Sequence, residues 1–139
     1  MSAPISIVIP TLNSACSLPA TLLSLMEGLD AGLICEVVVT DGGSNDATRV
    51  IAEAWGAEVI AGATSRGGQL RRGVAASRGE WVMVLHSDTI LQDGWSRAVQ
   101  KRKNEGTLCI TLAFRGPGIA ATLVAAWANL RTDEKHLPF

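Results

Sequence analysis

Apolar positions along the chain fall into two patterns, short unbroken runs and longer stretches with helical spacing. Ile5 to Ile9, Ile34 to Thr40 and Trp81 to His86 are compact runs rich in β-branched and large apolar side chains. Such runs predict strands buried on both faces, as in the interior of a parallel sheet. Ala57 to Ala61 predicts a shorter third strand, and Trp81 to His86 reads as the central one. Between them lie amphipathic stretches. Ser17 to Glu27 places Leu18, Leu22, Leu25 and Met26 on one face, with Pro19 in the first turn where proline is tolerated. Asn45 or Asp46 is positioned to cap a helix running to about Trp55, with Val50, Ile51 and Ala54 inward. Gln69 to Ser77 and Asp93 to about Asn104 complete the helices of this part. Alternating strands and helices imply right-handed crossovers and a parallel sheet. Leu108 to Phe114 predicts a further strand, Gly116-Pro117-Gly118 a break, and Ile119 to Leu130 an apolar helix. That helix is apolar around most of its circumference, through Ile119, Leu123, Val124, Trp127 and Leu130, so it is expected either to pack against the sheet or to bury itself against a second copy, most simply as a two-fold dimer.

Composition changes this picture little. A chain of 139 residues fits one domain, residues 1–139, and a 47% hydrophobic content excludes a disordered chain. The formal net charge of -1 gives no basic field for nucleic acid or an anionic membrane. Cys16, Cys35 and Cys109 form no C-x-x-C pair and read as buried thiols of a reducing cytoplasm. The start of the chain lacks the basic region of a signal peptide, and no apolar tract is long enough for a transmembrane segment. The Lys101-Arg102-Lys103 run is a solvated helix end that complements the helix dipole.

The chemistry concentrates where strands stop. Trp81 to His86 ends in His86-Ser87-Asp88-Thr89, which sets an imidazole and a carboxylate at the carboxyl end of a strand. Ligands of open α/β sheets bind at that edge. A carboxylate there can hold Mg²⁺ or Mn²⁺, and the metal a diphosphate; the competing reading is an Asp that caps the next turn. Ile34 to Thr40 likewise ends in Asp41-Gly42-Gly43-Ser44. The P-loop, the dinucleotide-binding Gly-x-Gly-x-x-Gly and the Gly-x-Ser-x-Gly nucleophile elbow are all absent. His136 in the tail reads as an exposed residue.

Four stations carry a resemblance: Pro10-Thr11-Leu12-Asn13, Asp41-Gly42-Gly43-Ser44-Asn45-Asp46-Ala47-Thr48, Ser65-Arg66-Gly67-Gly68-Gln69 and His86-Ser87-Asp88. In order and spacing the chain resembles the inverting glycosyltransferases of family 2. It is closest to a bacterial subgroup whose metal motif reads His-x-Asp. The resemblance implies a Rossmann-like GT-A fold, a mostly parallel sheet of about five strands flanked by helices, incomplete at the C-terminus. It also implies a nucleotide-sugar pocket lined by Pro10, Thr11, Leu12, Asn13, Gly43 and Ser87. Asp41 would accept a hydrogen bond from the base, typically uracil N3–H, or alternatively cap its own turn. Arg66 would face the diphosphate with its planar fork. Asp88 would bind Mn²⁺ or Mg²⁺, and His86 would ligate the metal or bond the ribose, or simply end its strand.

The implied activity is transfer of a sugar from a UDP-sugar to an acceptor with inversion. The alternative is an inactive or partial nucleotide-binding module that acts as an assembly partner. Three positions depart from the family pattern. Ser14 stands where an acidic residue often follows the Asn, and Arg71 stands where an Asn is usual. The Gly-Asp-Gln segment whose Asp is the candidate general base has no counterpart before Phe139, and neither Asp133 nor Glu134 matches it.

Overall fold

The computed structural model describes residues 3–102, 109–113 and 122–126. Four parallel strands form its sheet: β1 (Ile5–Thr11), β2 (Ile34–Asp41), β3 (Glu58–Ala61) and β4 (Trp81–Val84), in the order β3-β2-β1-β4. The chain therefore moves outward from β1 through β2 to β3, then returns to the other side of β1. This reversal is the doubly wound arrangement, and it opens a crevice at the carboxyl ends of β1 and β4.

Strand alternation divides two cores. Ile5, Ile7 and Ile9 of β1, Val37 and Val39 of β2 and Met83 of β4 face one side, where they meet Leu18, Leu22, Leu25, Ala52, Trp95 and Val99. Those partners come from α1 (Leu18–Ser24), α3 (Thr48–Trp55) and α5 (Trp95–Arg102), and from Leu25, which joins α1 to α2 (Met26–Asp30). Val8, Val38 and Val82 point to the opposite face, against Leu70 and Val74 of α4 (Arg66–Ala76). A right-handed crossover in the reversed direction must place its helix on the opposite face. That is the face α4 occupies. The seat is tight, for a Cβ on Gly73 of α4 would lie 2.3 Å from Val8 Cγ1.

Several expectations are corrected. Among the described residues Trp81–Val84 is an edge strand, while β1 and β2 have partners on both sides. The predicted helix from Ser17 to Glu27 breaks at Leu25. There the Ser24 hydroxyl donates to Thr21 O at 2.7 Å, and Leu25 N bonds Leu22 O instead of continuing the ladder. Met26 is consequently exposed. On α3 the buried residues are Thr48 and Ala52, with Ile51 half-buried against the same core as expected, whereas Val50 is 67% exposed and Ala54 is exposed as well. Cys16 and Cys35 are exposed, not buried.

The strand expected from Leu108 to Phe114 is present as β5 (Cys109–Ala113). The apolar helix expected from Ile119 to Leu130 is not formed over Thr122–Ala126, which is β6, antiparallel to β5 in a separate two-stranded sheet. Pairing with β5 overrides the helical preference of the alanines, helped by β-branched Thr122 and Val124. The dimer expected through that helix loses its element. The remainder of that segment, Asn104, Asp133, Glu134 and His136 lie outside the described residues. No helix among the described residues is long and apolar enough to cross a membrane.

At the amino ends of the strands Glu36 ties β1, β2 and the start of β4. Its carboxylate accepts from Ser6 Oγ at 2.6 Å, from Arg78 N at 2.5 Å and from Arg78 Nε at 3.1 Å. Burial of this carboxylate opposes its charge, but the Ser6 and Arg78 donors outweigh burial and hold its pKa below the ordinary 4.5.

Two predictions follow from these contacts. A group with a lowered folded-state pKa stabilises the fold above its unfolded value, and that contribution disappears as pH falls through the folded value. Stability should therefore drop more steeply below pH 4.5 in the native chain than in Glu36→Gln, as read from urea midpoints across the acid range. Gly73→Ala should lower stability by about 1–3 kcal/mol through overpacking against Val8, offset by about 1 kcal/mol of helix propensity. Urea unfolding with an unchanged m-value checks this, and a stabilised variant would mean that α4 sits farther from β1.

Candidate functional site

At the carboxyl edge, the sheet register sets Thr11 beside Asp41, and Asp41 beside Ala61. Four loops leave this edge, and the residues expected at the nucleotide-sugar and metal site lie in them or at the ends of the elements they join. Their side chains lie in two layers.

The lower layer is buried and polar, with Asp41 at its centre. Asp41 is 0% exposed, and both carboxylate oxygens are engaged. Oδ1 accepts from Thr11 Oγ1 at 2.8 Å and Ser44 Oγ at 2.6 Å, while Oδ2 accepts from Gly43 N at 3.1 Å and Ser44 N at 2.8 Å. Arg49 Nε approaches Oδ2 at 3.9 Å. Burial works against the charge, yet the Ser44, Thr11 and Gly43 donors together keep the pKa below its ordinary 3.8. The loop can fold back over the carboxylate because Gly43 adopts φ 100°, open to glycine at little cost.

Asn13 joins the first two loops. It has φ 49°, a conformation that Asn tolerates better than most residues. Its backbone N–H donates to Ser44 Oγ and its Oδ1 accepts from Asn45 N, both at 2.8 Å. Asp46 accepts from Thr48 N at 3.0 Å and from Ala15 N at 3.1 Å, so it caps the first turn of α3 and also holds the loop after β1.

Ser14 carries the connection to the metal motif. Its N–H donates to Thr48 Oγ1 at 2.8 Å, and its hydroxyl pairs with Ser87 Oγ at 2.8 Å. Buried Thr21 donates to Ser87 O at 2.9 Å, and Thr89 N closes a turn onto His86 O at 3.1 Å. The His86–Thr89 turn is thus fixed from beneath.

The upper layer is exposed and consists of Leu12, Asn13, Gly43, Arg66, His86 and Asp88, with half-buried Pro10 and Ser87 at its margin. Arg66 Nη2 stands 2.8 Å from His86 Nε2. Nη2 is also 3.4 Å from His86 Nδ1, so the guanidinium lies over the imidazole ring and both ring tautomers are compatible with it. A lone pair on imidazole nitrogen and a free carboxylate two residues on suit Mn²⁺, and the carboxylate alone suits Mg²⁺. Among the described residues no three His, Cys, Asp or Glu side chains converge on one point. Of the described His, Cys, Asp and Glu side chains, His86 and Asp88 are those that would hold a divalent ion here, with phosphate oxygens and water among its other ligands.

The segments named from sequence meet at this edge. Asp41 was expected to accept from the base or to cap its own turn, and Thr11 to line the pocket; here Asp41 accepts from its own turn and from Thr11, beneath the surface. The physical reason is the density of donors in Gly43-Ser44, which satisfy the carboxylate locally. Ser14 was noted only as a departure from the family pattern, and Ser44, Thr48 and Gln69 only as members of the motif stations, none with a role of its own.

Comparison with known proteins agrees with this fold. The family profile described as Glycosyl transferase family 2 matches residues 6–127. Glucosyl-3-phosphoglycerate synthase of Mycobacterium tuberculosis is 34% identical over 95 residues, covering 62% of this chain and 29% of that protein. A PGL/p-HBAD biosynthesis glycosyltransferase of Mycobacterium bovis is 37% identical over 101 residues, 67% of this chain and 39% of the relative. The chain thus spans about a third of the length of these relatives. A crystal structure of the Mycobacterium tuberculosis synthase with Mn²⁺, uridine-diphosphate and glucosyl-3-phosphoglycerate superposes with TM-score 0.56 at 30% identity, over 63% of this chain and 35% of that one. Its complex with Mg²⁺ and uridine-diphosphate gives TM-score 0.57 at 33% identity, over 63% and 34%. The sheet order, the superposition and the span of the profile agree: this chain has the GT-A fold and belongs to glycosyl transferase family 2.

Proposed function

We propose that the carboxyl edge of β1, β2 and β4 binds a UDP-sugar with Mn²⁺ or Mg²⁺, and that the protein transfers the sugar to an acceptor with inversion. The observation that carries this reading is the contact of Arg66 with His86 at the crevice where the strand order reverses, with exposed Asp88 two residues on in the same turn. One cation, one imidazole and one exposed carboxylate suit a metal–diphosphate pair. Structural relatives that were crystallised with uridine-diphosphate and Mn²⁺ or Mg²⁺ support it.

The roles follow from the two layers. Arg66 has no described side-chain partner except His86, so its fork can turn to phosphate oxygens without breaking an ion pair. Asp88 and His86 would hold the metal, whose contribution is Lewis-acid stabilisation of the departing diphosphate. The exposed face of Leu12 and the Asn13 backbone offer a rim for the base. Asp41 acts from below by fixing the loops after β1 and β2. A base N–H that reached its carboxylate would have to replace a Thr11 or Ser44 bond.

A second reading, nucleotide binding without turnover, keeps the same site. Release of UDP from UDP-sugars on addition of acceptors separates the two.

The metal assignment is tested by Asp88→Asn. The neutral amide no longer offsets the cation, so the Mn²⁺-dependent part of UDP affinity should fall at least about tenfold, equivalent to about 1.4 kcal/mol. The fold should be unchanged, because the side chain is exposed and has no hydrogen-bond partner among the described residues. Calorimetric titration of UDP with Mn²⁺ and with a chelator measures this. An equal Mn²⁺ effect in both proteins would remove Asp88 from the metal.

A further inference from the structure

We infer that Gln69 is the positioning residue for Arg66, an inference that rests on the reading of Arg66 as the cation facing the diphosphate. Gln69 is 5% exposed and lies in the first turn of α4, three residues after Arg66. Its Nε2 donates one hydrogen to Thr11 O at 2.9 Å and the other to Thr40 O at 2.8 Å, which are carbonyls at the carboxyl ends of β1 and β2. Its Oε1 accepts from Ser65 N at 3.3 Å, and its own N–H donates to Ser65 O at 2.7 Å. Ser65 is the residue that caps α4, through Gly68 N at 3.2 Å, and Arg66 follows it directly.

One buried amide therefore ties three elements together: the last residue of β1, the end of β2 and the backbone from which Arg66 projects. A buried amide is costly unless its hydrogen-bonding capacity is used, and here both donors and the acceptor have partners. The packing leaves no slack on the β2 side. A Cβ on Gly42 would lie 3.0 Å from Gln69 Oε1 and 3.2 Å from its Cδ and Nε2. The Thr64 hydroxyl adds a short bond to Gly42 O, so residues 64 and 65 are both anchored to this loop. Arg66 itself is exposed, and its only described side-chain contact is His86. The tip is free to exchange partners, and its root is set by Gln69. No apolar side chain of similar size can do this, since it would leave the Thr11 and Thr40 carbonyls and Ser65 N–H without this partner.

Gln69→Met keeps the volume and removes the bonds. Three readouts on the full chain test it: UDP affinity with Mn²⁺, uridine affinity, and amide exchange over residues 64–68 without ligand. UDP affinity should fall about tenfold, as partners behind a ligand-binding residue usually cost, while uridine affinity is retained. In an Arg66→Ala background the same change should cost less than about twofold, because the two residues act as one unit. Equal losses in both backgrounds, or parallel losses of UDP and uridine, would overturn the inference. If Gln69→Met does not fold, Gly42→Ala displaces the amide without removing it and should give the same pattern. Amide exchange decides the matter even if the native chain binds no UDP, an outcome that would sink the reading of Arg66 alone. Faster exchange at residues 64–68 with later α4 turns protected supports Gln69 as the anchor, and unchanged exchange there rejects it.

Discussion

Everything at the binding edge depends on β1 having a parallel partner on each side. Pairing with β2 places the loop after Thr11 beside Asp41, and pairing with β4 brings Leu85 N onto Val8 O, so the chain leaves β4 next to the same loop. β1 can be central because it is apolar on both faces, Ile5, Ile7 and Ile9 on one side and Val8 on the other. A polar residue in place of Ile7 or Val8 would put an unsatisfied group in one core or the other, at a cost of about 1–3 kcal/mol. The reversal of strand order then sends α4 to the opposite face, and with it Arg66.

The site on this edge separates support from contact. Asp41, Thr11, Ser44, Thr48, Ser14 and Gln69 are buried and satisfy one another, whereas Arg66, His86 and Asp88 are exposed. Buried polar networks of this kind specify a single arrangement only when each member is satisfied. The Asp41 carboxylate meets that condition with four donors within hydrogen-bond distance. A rigid lower layer lets the upper one exchange partners, as Arg66 must if it leaves His86 for phosphate.

Much of this was legible from sequence because parallel strands and the loops that end them leave strong local signals. Ile5 to Ile9 and Ile34 to Thr40 were read to within two residues of their ends. Trp81 to His86 was read as central because its run is the most apolar, but apolarity reports burial and not neighbours, and β4 has one described partner. Ala-rich Ile119 to Leu130 fits a helix by composition, and only its pairing with Cys109–Ala113 makes Thr122–Ala126 a strand. At the site, motif spacing located the loops but not the depth of each side chain. The role of Asp41 was set by donors two and three residues later, and that of Gln69 by carbonyls 58 and 29 positions away, which no local pattern records.

The central claim is spatial: one metal–diphosphate complex held between the loops after β1, β2 and β4 and the start of α4. Mn²⁺ broadens nearby amide resonances, so a nitrogen–proton correlation spectrum of the labelled chain, recorded with UDP and with traces of Mn²⁺, maps it directly. The account predicts UDP-dependent broadening at residues 11–14, 42–44, 65–68 and 86–89, with Glu36, Arg78 and Gly79 at the opposite end of the sheet unaffected. Broadening centred on Glu27 and Asp93, or the same broadening without UDP, would contradict it.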